Sequence, residues 1–341
     1  MWSSYIQDKR ISKMNKYLHK LFQSYSYGCS KPLPKSKNID AILEKPMQMT
    51  MIAHLPLEDI VSIKKIFNAS QAVLSASIQG KWLEAQQANI TANEIIQSSQ
   101  FTPESSIIVK NNFNASKGYF DYRQGNYEAA RVNLHIALES CIALVTQYGY
   151  DFLQGRPIHL ACNLVKVEAC SGNHEKALKI ACYLINHMEG KYDSSIAQEI
   201  NLLESVQDLS FNYERFLFIQ VFQEVAKLLA SCKNEESNKL VDLASNIIGD
   251  EDFLSNKQFD REYTWFKNKQ ALAKGKIIEF IEESSKFLAD GRGSCKLLWH
   301  ATVLDILKIC KTIDSEISKI LQQQIIEDLV NYKYLPTVLK A

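Results

Sequence analysis

Helix-breaking residues are scarce in this sequence: of 341 positions, glycine takes 12 and proline 7. Both fall well below average usage, which argues against a turn-rich β-sandwich or barrel and excludes collagen. None of the eight cysteines (29, 141, 162, 170, 182, 232, 295 and 310) forms a Cys-x-x-Cys pair. That excludes a disulfide scaffold, and buried free thiols in a reducing compartment are the expectation. No run of 18 apolar residues occurs; the densest stretch, Phe216–Phe222, is interrupted by Gln220. Lys9, Arg10 and Lys13 precede no apolar core of a secretory signal, so the expected location is cytoplasmic. Neither charge sign dominates, with 39 Lys and Arg against 38 Asp and Glu. With 46% hydrophobic and 23% charged residues, wholesale disorder is excluded too.

The balance of charge hides an asymmetry. Residues 1–38 hold eight basic side chains and a single acid, Asp8, which leaves the remainder slightly acidic and unlike a nucleic-acid surface. Within residues 5–27, Ile11, Met14, Leu18, Leu21, Phe22 and Tyr25 recur at helical spacing, while Lys9, Lys13, Lys16 and Lys20 occupy other faces. Residues 1–30 therefore read as a basic amphipathic helix. Three roles stay open for it: contact with anionic lipid or nucleic acid, organelle targeting, or a cap docked on the first helix hairpin. Pro32 and Pro34 predict an extended linker, and Pro46 and Pro56 predict that irregular chain continues over 31–57. From residue 58 to the C-terminus the helical period prevails.

A repeat lies inside that helical region. Gly80-Lys81-Trp82-Leu83-Glu84-Ala85, Gly125-Asn126-Tyr127-Glu128-Ala129-Ala130 and Gly172-Asn173-His174-Glu175-Lys176-Ala177 align as glycine, polar residue, ring and, five positions after the glycine, alanine. A weaker copy begins at Cys232, and Gly275-Lys276-Ile277 is another. The glycine ends one helix in left-handed conformation, the ring packs across the turn, and the alanine lets the second helix approach closely. Thr102-Pro103-Glu104 reads as a helix start, with cap, first-turn proline and acid. Gly149–Pro157, Gly190–Ser195, Gly249–Asn256 and Asp290–Ser294 read as the other turns.

These residues resemble the tetratricopeptide repeat, most clearly over 66–190. The spacing of about 45 departs from that family's 34, and its first-helix tryptophan and terminal proline are missing. The resemblance implies an all-α, right-handed α-α superhelix of about five stacked hairpins over residues 58–341. Long repeats of this kind occur in sensor arms of bacterial regulators and in scaffolding subunits.

Catalytic and metal patterns fail on spacing. His159, Cys162, Cys170 and His174 invite zinc, yet 159 and 174 lie about 22 Å apart along one helix at 1.5 Å per residue. None of the seven histidines has a glutamate three residues before it, as a di-iron bundle requires. Gly291-Arg292-Gly293 lacks the rest of a phosphate loop, and Gly249-Asp250-Glu251-Asp252 reads as an acidic helix start. Cys29, beside Lys31 in a mobile segment, reads as an inert surface thiol because no base accompanies it. The expectation is no metal, no cofactor and no catalytic group.

The resemblance supplies the candidate site. Tetratricopeptide-like superhelices bind peptides on a concave face lined by the first helix of each hairpin. Counting back from Gly125 gives Asn112, Tyr119, Tyr122 and Arg123; counting back from Gly172 gives His159 and Lys166. The preceding hairpin offers Phe67, Leu74 and Ile78, an apolar end. Such groups suit a carboxylate or a peptide backbone. The functional expectation is a non-enzymatic protein- or peptide-binding module, a scaffold or peptide-sensing regulator. The alternatives are a regulator whose basic N-terminal helix touches nucleic acid or membrane while the repeats sense a ligand, and a helical enzyme whose site is invisible in sequence.

Overall fold

The turns between paired helices are set by glycine. In a computed structural model, which describes residues 2–32, 40–191, 211–249, 259–331 and 336–339, Gly80, Gly125, Gly172 and Gly275 have φ of 72°, 78°, 85° and 70°. After each, the next amide donates five residues back: Lys81 to Ala76, Asn126 to Asp121, Asn173 to Glu168 and Lys276 to Ala271, all at 2.9 Å. The glycine's own N–H reaches the carbonyl three residues back. This double bond is the Schellman motif, which needs left-handed backbone at the glycine and satisfies carbonyls that a helix end would orphan. Five residues on, Ala85, Ala130 and Ala177 are fully buried, and Phe280 takes that place after Gly275. The ring position is different: Trp82 is exposed, and Tyr127 and His174 are half-buried. At Cys232 there is no glycine, and the next helix begins from Lys233 in extended conformation.

Among the described residues the chain is all-α, with fourteen α-helices and no strand. They are Trp2–Ser30 (α1), Asp40–His54 (α2), Leu57–Gln79 (α3), Trp82–Ser98 (α4), Pro103–Arg123 (α5), Tyr127–Tyr148 (α6), Arg156–Cys170 (α7) and His174–Met188 (α8). Then follow Phe211–Ser231 (α9), Asn234–Ile248 (α10), Asp260–Ala273 (α11), Ile277–Ala289 (α12), Lys296–Cys310 (α13) and Glu316–Val330 (α14). Two compact units result, Lys37–Leu217 and, in two pieces, Met1–Ser36 with Phe218–Ala341. The sequence boundaries instead placed one helical domain at 58–341 after a separate helix and linker. In the structure α2 joins the hairpins that follow it, and α1 joins the C-terminal helices.

In the first unit the hairpins α3/α4, α5/α6 and α7/α8 pack as neighbouring pairs; α5 lies on α3, and α7 on α6. The α6 stripe Ala130, Leu134, Ala137, Leu138, Cys141 and Leu144 is buried. Among the described residues, α6 is the one helix long and apolar enough to cross a membrane, and this stripe is spent on α5 and α7. Thr102 caps α5 as its sequence predicts, accepting from the Ser105 amide, and also donates to Asp59 at 3.0 Å.

The irregular chain expected around Pro46 is instead α2, with that proline inside it. A proline costs about 3 kcal/mol in a helix. Leu43, Glu44, Lys45, Met47, Gln48, Met49 and Met51 are strong helix formers, and Met51 and Leu55 are buried, which offsets that cost. His54 at the end of α2 meets Glu104 at 3.0 Å, and Tyr150 donates to the same carboxylate at 2.8 Å. Pro34 of the linker, residues 192–195 and Asp250-Glu251-Asp252 lie outside the described residues.

In the second unit α1 buries Leu18, Leu21 and Tyr25 and packs on α12 and α14; docking on the first hairpin was one of the three roles left open for it. The physical reasons are local. Gly28 has no Cβ to strike the Leu288 carbonyl, Tyr25 stacks on Trp299 at 5.4 Å, and the Tyr25 hydroxyl donates to Asp328 at 2.7 Å. Cys29 is thus not in a mobile segment: it lies in α1, 3.7 Å from Asp328. Its thiol is pushed up to about 11, chiefly by burial. Arg292 of the expected Gly291–Gly293 turn is buried, over the Trp299 ring at 4.8 Å. Elsewhere α9 meets α11 and the residue that caps it through rings, Phe218 stacking on the cap Phe259 at 3.8 Å and Phe222 edge-on to Tyr263 at 5.7 Å.

Candidate functional site

Residues at three- and four-residue steps share one face of a helix. On α5 that register joins Asn112, Tyr119 and Tyr122, with Arg123 beside them; on α7 it joins Arg156, His159, Asn163, Lys166 and Cys170. All are half-buried except Arg123 and Cys170, which are exposed. The helices α5 and α7 touch, and Tyr122 Oη lies 3.6 Å from Cys170 Sγ.

On α5 the arginine is braced. Arg123 Nη1 donates to Tyr119 Oη at 3.1 Å, and its guanidinium lies 6.0 Å from the Tyr119 ring centre and 5.9 Å from that of Trp82. Tyr119 and Tyr122 stand 6.0 Å apart, tilted by 50°. Cation–π attraction and a hydrogen bond together hold the guanidinium at less entropic cost to a later ligand. Asn112 lies seven residues before Tyr119 on this face, its enclosed Oδ1 without a hydrogen-bond partner among the described residues.

On α7 the polar groups pair along the helix. Lys166 Nζ donates to Asn163 Oδ1 at 2.9 Å, and Arg156 Nη1 lies 3.4 Å from His159 Nδ1. The His159 ring meets Phe216 edge-on at 6.5 Å. Burial first, then the charges of Arg156 and Lys166, hold its pKa well below the ordinary value, so the ring is neutral at pH 7. Cys162, the remaining member of the sequence's zinc set on this helix, is buried.

The carboxylates nearest this surface point elsewhere. Asp121 and Glu168 hold the same place in the repeat, four residues before the turn glycine, and both are buried. Asp121 accepts from Lys117 at 3.0 Å and Asn133 at 2.8 Å. Glu168 accepts from Arg131 Nε and Nη2 at 3.0 and 3.1 Å and from Asn173 at 2.8 Å. Burial alone would raise the Glu168 pKa, but these bonds and Lys176 hold it below the usual carboxylate value. These two acids are thus turned inward and neutralised, while Arg123 is exposed and Arg156 and Lys166 keep partial exposure. Such a face can bind an anion and offers flat aromatic area beside it.

Trp82, Arg156 and Asn163 belong to this surface and were not singled out in the sequence. Arg156 and Asn163 continue the register of His159 and Lys166 by three and four residues, a signal that was present. Trp82 stood out only as the ring of its repeat. On α3, Phe67 and Leu74 are half-buried and Ile78 is exposed. Comparison of the chain with protein-family models, curated proteins and solved structures finds no match.

Proposed function

We propose that this chain is a non-enzymatic protein- or peptide-binding helical-repeat module of tetratricopeptide-like kind, a cytoplasmic scaffold or peptide-sensing regulator. In this reading α3, α5 and α7 line a concave groove that grips an acidic peptide segment. One observation carries it: on neighbouring helices Arg123 is exposed and Tyr119, Tyr122, Arg156 and Lys166 keep partial exposure, while Asp121 and Glu168 are buried against their own partners. Arginine and tyrosine are the side chains enriched where binding energy concentrates.

The test is selection of displayed random peptides on the full chain. Acidic sequences should be enriched, and Arg123→Glu should weaken them while keeping its helical circular dichroism, since exposed charges seldom shift stability by more than about 0.5 kcal/mol. Lys166→Gln, which keeps the length of the half-buried side chain, should weaken them further. Enriched peptides that bind both variants with unchanged affinity would sink the reading.

A second reading draws support from α1, which leaves Lys13, Lys16 and Lys20 exposed while its apolar residues are packed. A docked helix of this kind suits contact with nucleic acid better than insertion into lipid. Affinity for a random-sequence duplex that falls steeply with salt is its signature.

A further inference from the structure

An ion pair lies inside the second unit. Lys269 Nζ on α11 donates to Asp305 Oδ2 on α13 at 2.7 Å, with the two side chains only 10% and 7% exposed. Taking both charges out of water costs several kcal/mol each, and an apolar pair of similar volume often does as well. Stability alone therefore gives little reason for the pair.

The pair forms one wall of a cavity of about 210 Å3. Ala226 and Ala230 of α9, Ala301 and Leu304 of α13, and Val338 supply apolar lining. Interiors are normally filled to crystal-like density, and unfilled volume lowers stability. Here alanine stands at three lining positions, although larger side chains flank them at Leu228, Leu229 and Val303.

Its charge has a sign. Lys269 and Asp305 cancel, which leaves Lys308 and Lys311, both exposed and both lining the same cavity. Among the described residues neither of these two lysines is in an ion pair. Apolar walls with a few convergent polar groups are the usual make-up of a small-molecule site.

We propose that this cavity binds a small organic carboxylate, its apolar body against the alanine walls and its carboxylate toward Lys308 and Lys311. The site lies in the second unit and is independent of the groove reading, so either can fail without the other. Hexanoate is a suitable probe, titrated calorimetrically into the full chain, with hexylamine and inorganic phosphate in parallel. Hexanoate should bind saturably at one equivalent, and hexylamine should not. Lys308→Gln/Lys311→Gln, which alters only exposed positions, should weaken hexanoate at least tenfold, and Ala230→Leu should abolish binding by filling the space. If Ala230→Leu fails to fold, the lysine double variant still decides the matter. Absence of saturable hexanoate binding, equal binding of hexylamine, or an unchanged affinity in the lysine variant would overturn the proposal. So would phosphate binding as tightly as hexanoate, which would mark the lysines as a bare anion site with no use for the cavity.

Discussion

Replacing Glu168 with alanine should cost more than any change on the outer face of the same helix. Its carboxylate is 2% exposed and takes a two-pronged grip from Arg131 on α6, a bond from Asn173 and the charge of Lys176 at 3.4 Å. It joins the second hairpin to the third. Removing one partner of a buried pair costs about 3–5 kcal/mol. Arg131 keeps 20% of its side chain in water and a bond to Ser171, so about 3 kcal/mol is the better figure. At about 2–4 °C per kcal/mol for a unit of this size, that is about 6–12 °C in Tm. Urea unfolding of Glu168→Ala, Arg131→Ala and the double variant should give a coupling energy of about 1–3 kcal/mol, as for groups sharing one network. Because the folded pKa of Glu168 is depressed, its stabilisation is present above the unfolded value and is lost as pH falls through the folded one. A single-variant loss under about 1 kcal/mol, or a coupling of zero, would refute this account.

Two further outcomes follow from burial. Gly28→Ala improves helix propensity by about 1 kcal/mol, yet its Cβ meets the Leu288 carbonyl that already accepts from Trp299 Nε1. The variant should be less stable by about 1–3 kcal/mol, with faster hydrogen exchange in α1; a raised Tm would contradict the close approach. Burial lowers the pKa of His159 and His187, and takes that of His300 to about 3. Stability should be full above the unfolded value near 6.5 and fall below it, by up to about 1.4 kcal/mol per histidine at pH 5.5; a urea midpoint equal at pH 7.5 and 5.5 would contradict this.

What could be read from sequence was what a single position dictates. Gly80, Gly125 and Gly172 are legible because left-handed backbone excludes most other residues, and Ala85, Ala130 and Ala177 because close helices exclude larger ones. Pro46 misleads because proline is a local penalty that packing at Met51 and Leu55 outweighs. The docking of α1 was not legible: Gly28 and Leu288 are remote in the chain, and no local pattern connects them. Of the candidate face, Tyr119, Tyr122, His159 and Lys166 share the helical register the sequence already shows, with Arg123 beside them. The bracing of Arg123 by Trp82 and the burial of Glu168 by Arg131 depend on contacts between hairpins, which spacing within one helix does not encode.

The two-piece composition of the second unit has a consequence during synthesis. Gly28 leaves the ribosome well before Leu288, its partner, because 260 residues separate them in the chain. At about 5–20 residues per second that is about 13–52 s. Over this interval the stripe Leu18, Leu21 and Tyr25 has no α12 to cover it, and residues Lys37–Leu217 are complete before Leu288 is made. The nascent chain therefore carries a sticky leader ahead of a finished unit.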